Sequence, residues 1–119
     1  MPPAANIVIL LANDLMLSST VSGYAASAGR LFYNAGSVAD VVAAISEGST
    51  VLLLVDLGMP GLDVASLADS VPAELLQHAV AYGPHVHTAK LDAARDAGFG
   101  KVLSRGQFSA QVSTLITDS

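Results

Sequence analysis

Two uninterrupted apolar runs lie in the first half of the chain, and polar residues follow each of them directly. Residues 7–12 form the first run and end at Asn13 and Asp14, whereas residues 51–55 form the second and end at Asp56. Short runs of this kind are typical of strands with both faces covered. Because a carboxylate at the tip of such a strand is costly to bury, we expect these ends to face solvent or a ligand.

Along the chain, short apolar segments typical of strands alternate with longer segments in which apolar residues recur at helical spacing. The pattern predicts helices at 15–28, 38–48, 64–71 and 86–97, a last helix marked by apolar residues from 108 to 116, and further strands at 30–34, 79–82 and 102–104. The second helix is expected to begin at Ser37, with Asp40 completing a capping box, and the third at Asp63. Helix ends are expected at Gly29, Gly48 and Gly98, and Pro72 lies near the end of the third helix.

Five strands alternating with five helices predict a single α/β domain over residues 1–119. Parallel strands require right-handed crossovers, so the helices should cover both faces of the sheet. We expect a three-layer, flavodoxin-like (βα)5 sandwich with strand order 2-1-3-4-5. Ligands of such sheets lie beyond the carboxyl ends of the strands where the order reverses, here between strands one and three. Asp14 and Asp56 should therefore share one pocket.

Composition narrows the class of function. The 119 residues are 52% hydrophobic and 13% charged, with a net charge of -5 and no cysteine. The acidic balance provides no basic surface for nucleic acid, so we expect no direct nucleic-acid binding. The apolar runs are too short to span a membrane, and we expect a cytoplasmic protein without membrane contact.

The segments ILLAND (9–14) and LLLVDLGMPGLD (52–63) resemble the receiver domain of bacterial response regulators. The resemblance covers nearly the whole chain. It implies that Asp56 is the phosphoacceptor, and that Asp14, Asp56 and the backbone carbonyl of Gly58 are ligands for Mg²⁺. Arg105 would replace, on strand five, the lysine that usually contacts the phosphoryl group.

The chain departs from the receiver pattern at three further positions. Asn13 stands where receivers carry a second carboxylate, so we expect weak Mg²⁺ binding. Gly83 stands where a Ser or Thr hydroxyl would contact the phosphoryl group, and Val102 stands where a switching aromatic residue is usual. Both halves of the usual conformational switch are therefore absent, and the resemblance is to a degenerate or pseudo-receiver variant.

Three functions remain open from the sequence. The first is a non-enzymatic receiver of a two-component phosphorelay, phosphorylated by a sensor histidine kinase or acting on another signalling protein. The second is a pseudo-receiver that binds its partner independently of phosphorylation. The third is a small-ligand or flavin binder, which lacks support because no glycine-rich loop follows strand one. Simpler roles also stay open: Asp14 as an N-cap, Asn13 bonding to the loop backbone, Asp56 as a solvated carboxylate and Arg105 as a surface charge.

Overall fold

The two apolar runs form adjacent strands in the middle of a parallel sheet. The computed structural model describes residues 6–45 and 50–118 of the chain. The strands are β1 (Ile7–Leu11), β2 (Leu31–Ala35), β3 (Val51–Asp56), β4 (Val80–Gly83) and β5 (Lys101–Ser104). Their order is β2-β1-β3-β4-β5 with all neighbours parallel, which confirms the predicted flavodoxin-like topology. The chain order therefore reverses between β1 and β3.

Helices cover both faces of this sheet. Within the described residues they are α1 (Leu15–Ser27), α2 (Val38–Ala44), α3 (Val64–Ser70), α4 (Ala73–Gln77), α5 (Thr88–Ala97) and α6 (Arg105–Asp118). One face packs against α1 and α6 through side chains such as Val21 and Ile116, and we call this the α1/α6 layer. The other face packs against the remaining helices through side chains such as Leu67 and Leu91, and we call this the opposite layer. None of these helices is long and apolar enough to cross a membrane.

Side chains near the end of β3 point alternately to the two faces of the sheet. Leu54 packs in the α1/α6 layer and Val55 in the opposite layer. Because successive side chains of a strand point to opposite faces, Asp56 projects on the α1/α6 side. Tyr82 pairs with Asp56 across β3 and β4 and packs in the same layer.

The predicted capping residues begin their helices. The Asp63 carboxylate accepts a hydrogen bond of 3.1 Å from the backbone N–H of Ser66, and the Ser37 hydroxyl accepts one of 3.1 Å from the N–H of Asp40. Gly98 ends α5 with φ at +106°, a left-handed conformation that glycine adopts without strain. Local sequence signals are thus sufficient to fix these helix ends.

The structure differs from the predicted elements at several helix boundaries and by one additional helix. Residues 73–77 form the short helix α4, because Pro72 ends the preceding segment and its carbonyl then accepts a hydrogen bond from Leu76. Helix α5 begins at Thr88 rather than at residue 86, and Arg105 is the first residue of α6 rather than part of strand five. Helix α2 ends at Ala44, where Ile45 adopts an extended conformation, so the prediction of a helix to residue 48 was too long; Gly48 itself lies outside the described residues.

Candidate functional site

Asp56, the last residue of β3, is the one charged side chain that is buried within the described part of the chain, with 8% of its surface exposed. Its Oδ1 atom accepts a hydrogen bond of 2.8 Å from the backbone N–H of Gly58. A Cβ atom at position 58 would lie 3.2 Å from this oxygen, so glycine allows the loop to approach the carboxylate. The Oδ2 atom is the oxygen that faces Arg105.

Asp14 begins α1 and lies beside Asp56 at the same edge of the sheet. Its Oδ1 atom accepts a hydrogen bond of 3.1 Å from the backbone N–H of Leu17, which confirms the N-cap interpretation. Its Oδ2 atom faces Arg105. One oxygen therefore stabilises the helix while the other is directed into the pocket, so the cap leaves Asp14 available for a ligand.

Arg105 connects the two carboxylates electrostatically. Its Nη2 atom lies 3.9 Å from Oδ2 of Asp14 and 3.8 Å from Oδ2 of Asp56. These separations are longer than direct hydrogen bonds, and about half of the Arg105 side chain is exposed, so both ion pairs are weak. The guanidinium group neutralises one of the two carboxylate charges.

Hydrogen bonds at the start of α6 fix the backbone on either side of Arg105. The Ser104 hydroxyl accepts a hydrogen bond of 3.2 Å from the backbone N–H of Gln107, and the Gln107 side-chain carbonyl accepts one of 2.9 Å from the N–H of Ser104. This reciprocal pair is a capping box. This helix start was not among the predicted ones, although the Ser-x-x-Gln pattern of residues 104–107 signals it.

These side chains surround an open pocket of about 480 Å³ at the carboxyl edge of the sheet. Its charged lining comes from Asp14, Asp56 and Arg105, and its remaining lining comes from Asn13, Leu15, Met16, Gly58, Met59 and Pro60. The predicted site residues Asp14, Asp56, Gly58 and Arg105 therefore lie around one pocket. Leu15 and Met16 are largely exposed and add an apolar rim to the charged floor.

Gly83 and Val102 both face the opposite layer. A Cβ atom at Gly83 would lie 3.3 Å from Cβ of Leu57 and 3.9 Å from Cδ2 of Leu91. Val102 is partly buried and packs against the core of the same layer. Asp56 projects on the other side of the sheet, so the space beside Gly83 is filled by Leu57 rather than left open to the pocket.

Asn13 lies on the exposed rim of the pocket. A Cβ atom at Gly36 would be 3.9 Å from its Oδ1 atom, so the amide oxygen lies near the loop between β2 and α2. Asn13 makes no side-chain hydrogen bond within residues 6–45 and 50–118, contrary to the expectation that it bonds to loop backbone. Asn34 has that role instead, because its Nδ2 atom donates to the carbonyls of Leu10 and Ala12 at 3.1 and 3.0 Å.

Tyr82 is a further neighbour of the site and was not among the predicted site residues. It is fully buried, and its ring stacks on Phe108 of α6 with centroids 3.9 Å apart and planes 11° apart. Burial raises the pKa of its phenol well above the ordinary value, and the negative charge of Asp56 raises it further. The charges of Arg105 and Asp14 also act on this pKa, in opposite directions, so the hydroxyl lies within electrostatic reach of the whole pocket.

Comparison with solved structures shows which known fold the chain shares. The beryllofluoride-activated NtrC4 receiver domain dimer is 15% identical with a TM-score of 0.69, and the match covers 95% of this chain and 98% of that one. NtrX from Brucella abortus is 18% identical with a TM-score of 0.71, over 98% of this chain and 28% of that one. The fold is therefore that of response regulator receiver domains.

Another structural neighbour is described differently. It is an adenylate cyclase from Rhodopirellula baltica, 15% identical with a TM-score of 0.66, and the match covers 93% of this chain and 87% of that one. No family model and no curated protein matches the sequence. At these identities the structural likeness defines the fold alone.

Proposed function

We propose that this chain is a signalling receiver domain of a two-component phosphorelay, in which Asp56 accepts a phosphoryl group from the phosphohistidine of a sensor histidine kinase. The observation that carries the proposal is the environment of Asp56. Its carboxylate is buried at the switch point of the sheet, one oxygen is bonded to Gly58, and the other is directed toward Arg105 and the pocket. A purely structural carboxylate would have no need of this open, charged pocket.

The proposed transfer uses the Oδ2 atom of Asp56 as the nucleophile. A lone pair of Oδ2 forms the new P–O bond, and the P–N bond of the phosphohistidine breaks. The electron pair of that bond returns to the imidazole nitrogen of the donor, and Asp56 becomes an acyl phosphate. Gly58 holds Oδ1 through its N–H at 2.8 Å, which orients the carboxylate so that Oδ2 remains available.

The residues of the pocket fit a hard divalent cation. Mg²⁺ binds to oxygen ligands, and Asp14 and Asp56 provide two carboxylates that face the same point, to which the backbone carbonyl of Gly58 would be added. Bound Mg²⁺ would neutralise negative charge on the phosphoryl oxygens. We propose weak binding, because Asn13 contributes no charge and because the Arg105 guanidinium already lies against both carboxylates.

Arg105 is the proposed phosphate-binding residue. Its guanidinium group is half exposed, so it is free to turn from the two carboxylates toward a phosphoryl group on Asp56. A guanidinium donates two parallel hydrogen bonds to phosphate oxygens, unlike the single ammonium that a lysine would supply. The charge of the site would then be balanced by Arg105 and the metal together.

The chain lacks residues that receivers use both for fast phosphoryl transfer and for the conformational change that follows it. We propose that the conformational change is affected more than the transfer. Loss of one donor to the transferring group costs about 3 kcal/mol, roughly a hundredfold in rate. Position 83 faces the opposite layer and supplies no donor to Asp56, and Val102 is not an aromatic side chain that could switch between two positions. We therefore propose slow phosphorylation with an incomplete switch, and no catalytic activity of the domain on another substrate.

The packing of Gly83 against Leu57 favours a second candidate, a pseudo-receiver that binds a signalling partner through a fixed surface. That surface would be formed by α5, β5 and α6. A phosphate-bearing cofactor at the start of α1 is less well supported, because the Asp14 carboxylate already accepts from the backbone N–H of Leu17 and would repel an anion.

Treatment with phosphoramidate and Mg²⁺, followed by intact-protein mass spectrometry, tests the proposal. We expect one added phosphoryl group on the wild-type protein and none on Asp56→Asn. Asp63→Asn is the matched control, because Asp63 is an exposed N-cap carboxylate in the loop after β3 and should leave the addition unchanged. Absence of the adduct from the wild-type protein at saturating Mg²⁺ would overturn the phosphoacceptor role and leave the pseudo-receiver.

The same sample separates the two candidates by NMR. If the phosphorylated domain is a switch, amide resonances of α5 and β5, including Val102, should shift together with those around Asp56. If shifts stay within the pocket, the surface is fixed and the pseudo-receiver mode is supported.

A further inference from the structure

Tyr82 carries a buried hydroxyl group that has no hydrogen-bond partner within the described residues. The side chain is fully buried. A phenylalanine would fill the same space without the cost of removing a hydroxyl from water. Packing alone therefore does not explain why residue 82 carries a hydroxyl group. The position of this hydroxyl relative to the pocket suggests a role in binding.

The sheet places Tyr82 directly beside Asp56. The two residues pair across β3 and β4, and the carbonyl of Tyr82 accepts a hydrogen bond of 2.8 Å from the backbone N–H of Leu57. Residues paired in a parallel register point to the same face, so both side chains project on the α1/α6 side. Asp56 is the shorter side chain and lies at the strand tip, with the longer tyrosine next to it.

Helix α6 holds the ring from its other side. Phe108 stacks on Tyr82 and lies one turn after Arg105 on the same helix. The tyrosine is thus fixed between the strand that carries Asp56 and the helix that carries Arg105. The charges of Asp56, Arg105 and Asp14 all act on the pKa of the phenol, and the oxygen carries its proton at neutral pH because the ordinary pKa of 10.0 is only raised further by burial.

We propose that the Tyr82 hydroxyl donates a hydrogen bond to a phosphoryl oxygen on Asp56, and so supplies from the α1/α6 layer the donor that Gly83 lacks. This inference rests on the phosphoacceptor role proposed above. Position 83 faces Leu57, whereas Tyr82 shares its layer with Asp56. Among the residues that the structure describes the hydroxyl has no acceptor, and a phosphoryl group on Asp56 would provide one.

Binding of beryllofluoride, a phosphoryl mimic, to the Mg²⁺-loaded protein tests the inference by ¹⁹F NMR titration. Tyr82→Phe keeps the ring and its stack on Phe108 but removes the donor, so we expect about tenfold weaker binding or more, as for loss of a hydrogen bond to a charged group. Tyr33→Phe is the matched control, because Tyr33 lies partly exposed on β2, and it should bind as the wild type does.

Thermal unfolding distinguishes a ligand-binding role from a structural one. Removal of an unpartnered hydroxyl should leave the Tm of Tyr82→Phe unchanged or raise it, while the affinity for beryllofluoride falls. A second readout needs no variant: in protein labelled at tyrosine ¹³Cζ, the Tyr82 resonance should shift on binding, whereas those of Tyr24 and Tyr33, the remaining tyrosines, should not.

The outcomes separate this inference from the function on which it rests. Wild-type affinity in Tyr82→Phe, or a Tyr82 resonance that does not move, would overturn the role of the hydroxyl and leave Asp56 as the phosphoacceptor. A Tm that falls together with the affinity would assign Tyr82 a structural role and also overturn it. If the wild-type protein neither binds beryllofluoride nor forms the phosphoramidate adduct, both proposals fail.

Discussion

The Nη2 atom of Arg105 lies 3.8 Å from Oδ2 of Asp56, the carboxylate oxygen that the Gly58 N–H does not bind. The same nitrogen lies 3.9 Å from Oδ2 of Asp14. A guanidinium in this place competes with a metal ion for the carboxylates, yet it also offers donors to a phosphoryl group. Its removal should therefore affect the two ligands in opposite directions.

Arg105→Ala should raise the affinity for Mg²⁺ about fivefold, because exposed ion pairs contribute up to about 1 kcal/mol. It should also slow phosphorylation by phosphoramidate about tenfold or more, because a charged donor to the phosphoryl oxygens is lost. Calorimetric titration with Mg²⁺ and the labelling rate measure the two effects. Arg95→Ala, which breaks the exposed pair with Asp92, should change neither. Weaker Mg²⁺ binding by Arg105→Ala would contradict the competition.

Asn13→Asp should tighten Mg²⁺ binding about tenfold, because it returns a carboxylate to the pocket rim. Without metal, the same change should lower the free energy of unfolding by less than about 1 kcal/mol, since a new charge arises near Asp14 and near the Asp40 side chain across Gly36. Salt should reduce this loss, and Mg²⁺ should reverse it. Urea unfolding with and without Mg²⁺ measures both, and unchanged metal affinity would place residue 13 outside the ligand set.

Gly83→Ser should not restore phosphorylation. The new Cβ atom would lie 3.3 Å from Leu57, so the domain should lose about 1–2 kcal/mol of stability, and the labelling rate should stay within about threefold of wild type. Gly23→Ser is the matched control: a Cβ atom there meets nothing within 4 Å, and this helical position should gain a few tenths of a kcal/mol. A tenfold faster reaction of Gly83→Ser would show that a hydroxyl at 83 reaches the pocket.

The sheet and the convergence of Asp14 with Asp56 could be predicted from sequence because they depend on local patterns. A strand buried on both faces is continuously apolar, as residues 51–55 are, and the parallel order then determines which strand ends meet. Asp14 and Asp63 begin helices through hydrogen bonds to residues three positions later, which a sequence reveals directly.

Features that depend on contacts between distant segments could not be predicted in this way. The stack of Tyr82 on Phe108 depends on how α6 packs on β4, and so does the surrounding of the Tyr82 hydroxyl, which has no hydrogen-bond partner in the part of the chain that the structure describes. The chain shows a tyrosine in a strand and nothing about its surroundings. Helix α4 does not follow from the sequence pattern, because Pro72 signals the end of the preceding helix, whereas its fixed φ also allows a helix to begin.

Ionisation of Tyr82 should make the stability of the domain fall at high pH. The pKa of its phenol is raised, mainly by burial and then by the Asp56 carboxylate, above the ordinary value of 10.0 that applies in the unfolded chain. Below pH 10 both states hold the proton, so this contribution to stability is fully present. Above pH 10 the unfolded chain releases the proton while the folded domain keeps it, which favours unfolding by about 1.4 kcal/mol at pH 11.

Tyr82→Phe isolates that contribution from other groups that titrate in the same range, because the variant has no phenol at this position in either state. Between pH 9 and pH 11, the wild-type free energy of unfolding in urea should fall by about 1.4 kcal/mol more than that of the variant. Equal losses in wild type and Tyr82→Phe would mean that water reaches the hydroxyl in the folded domain, and its burial beside Asp56 would then be wrong.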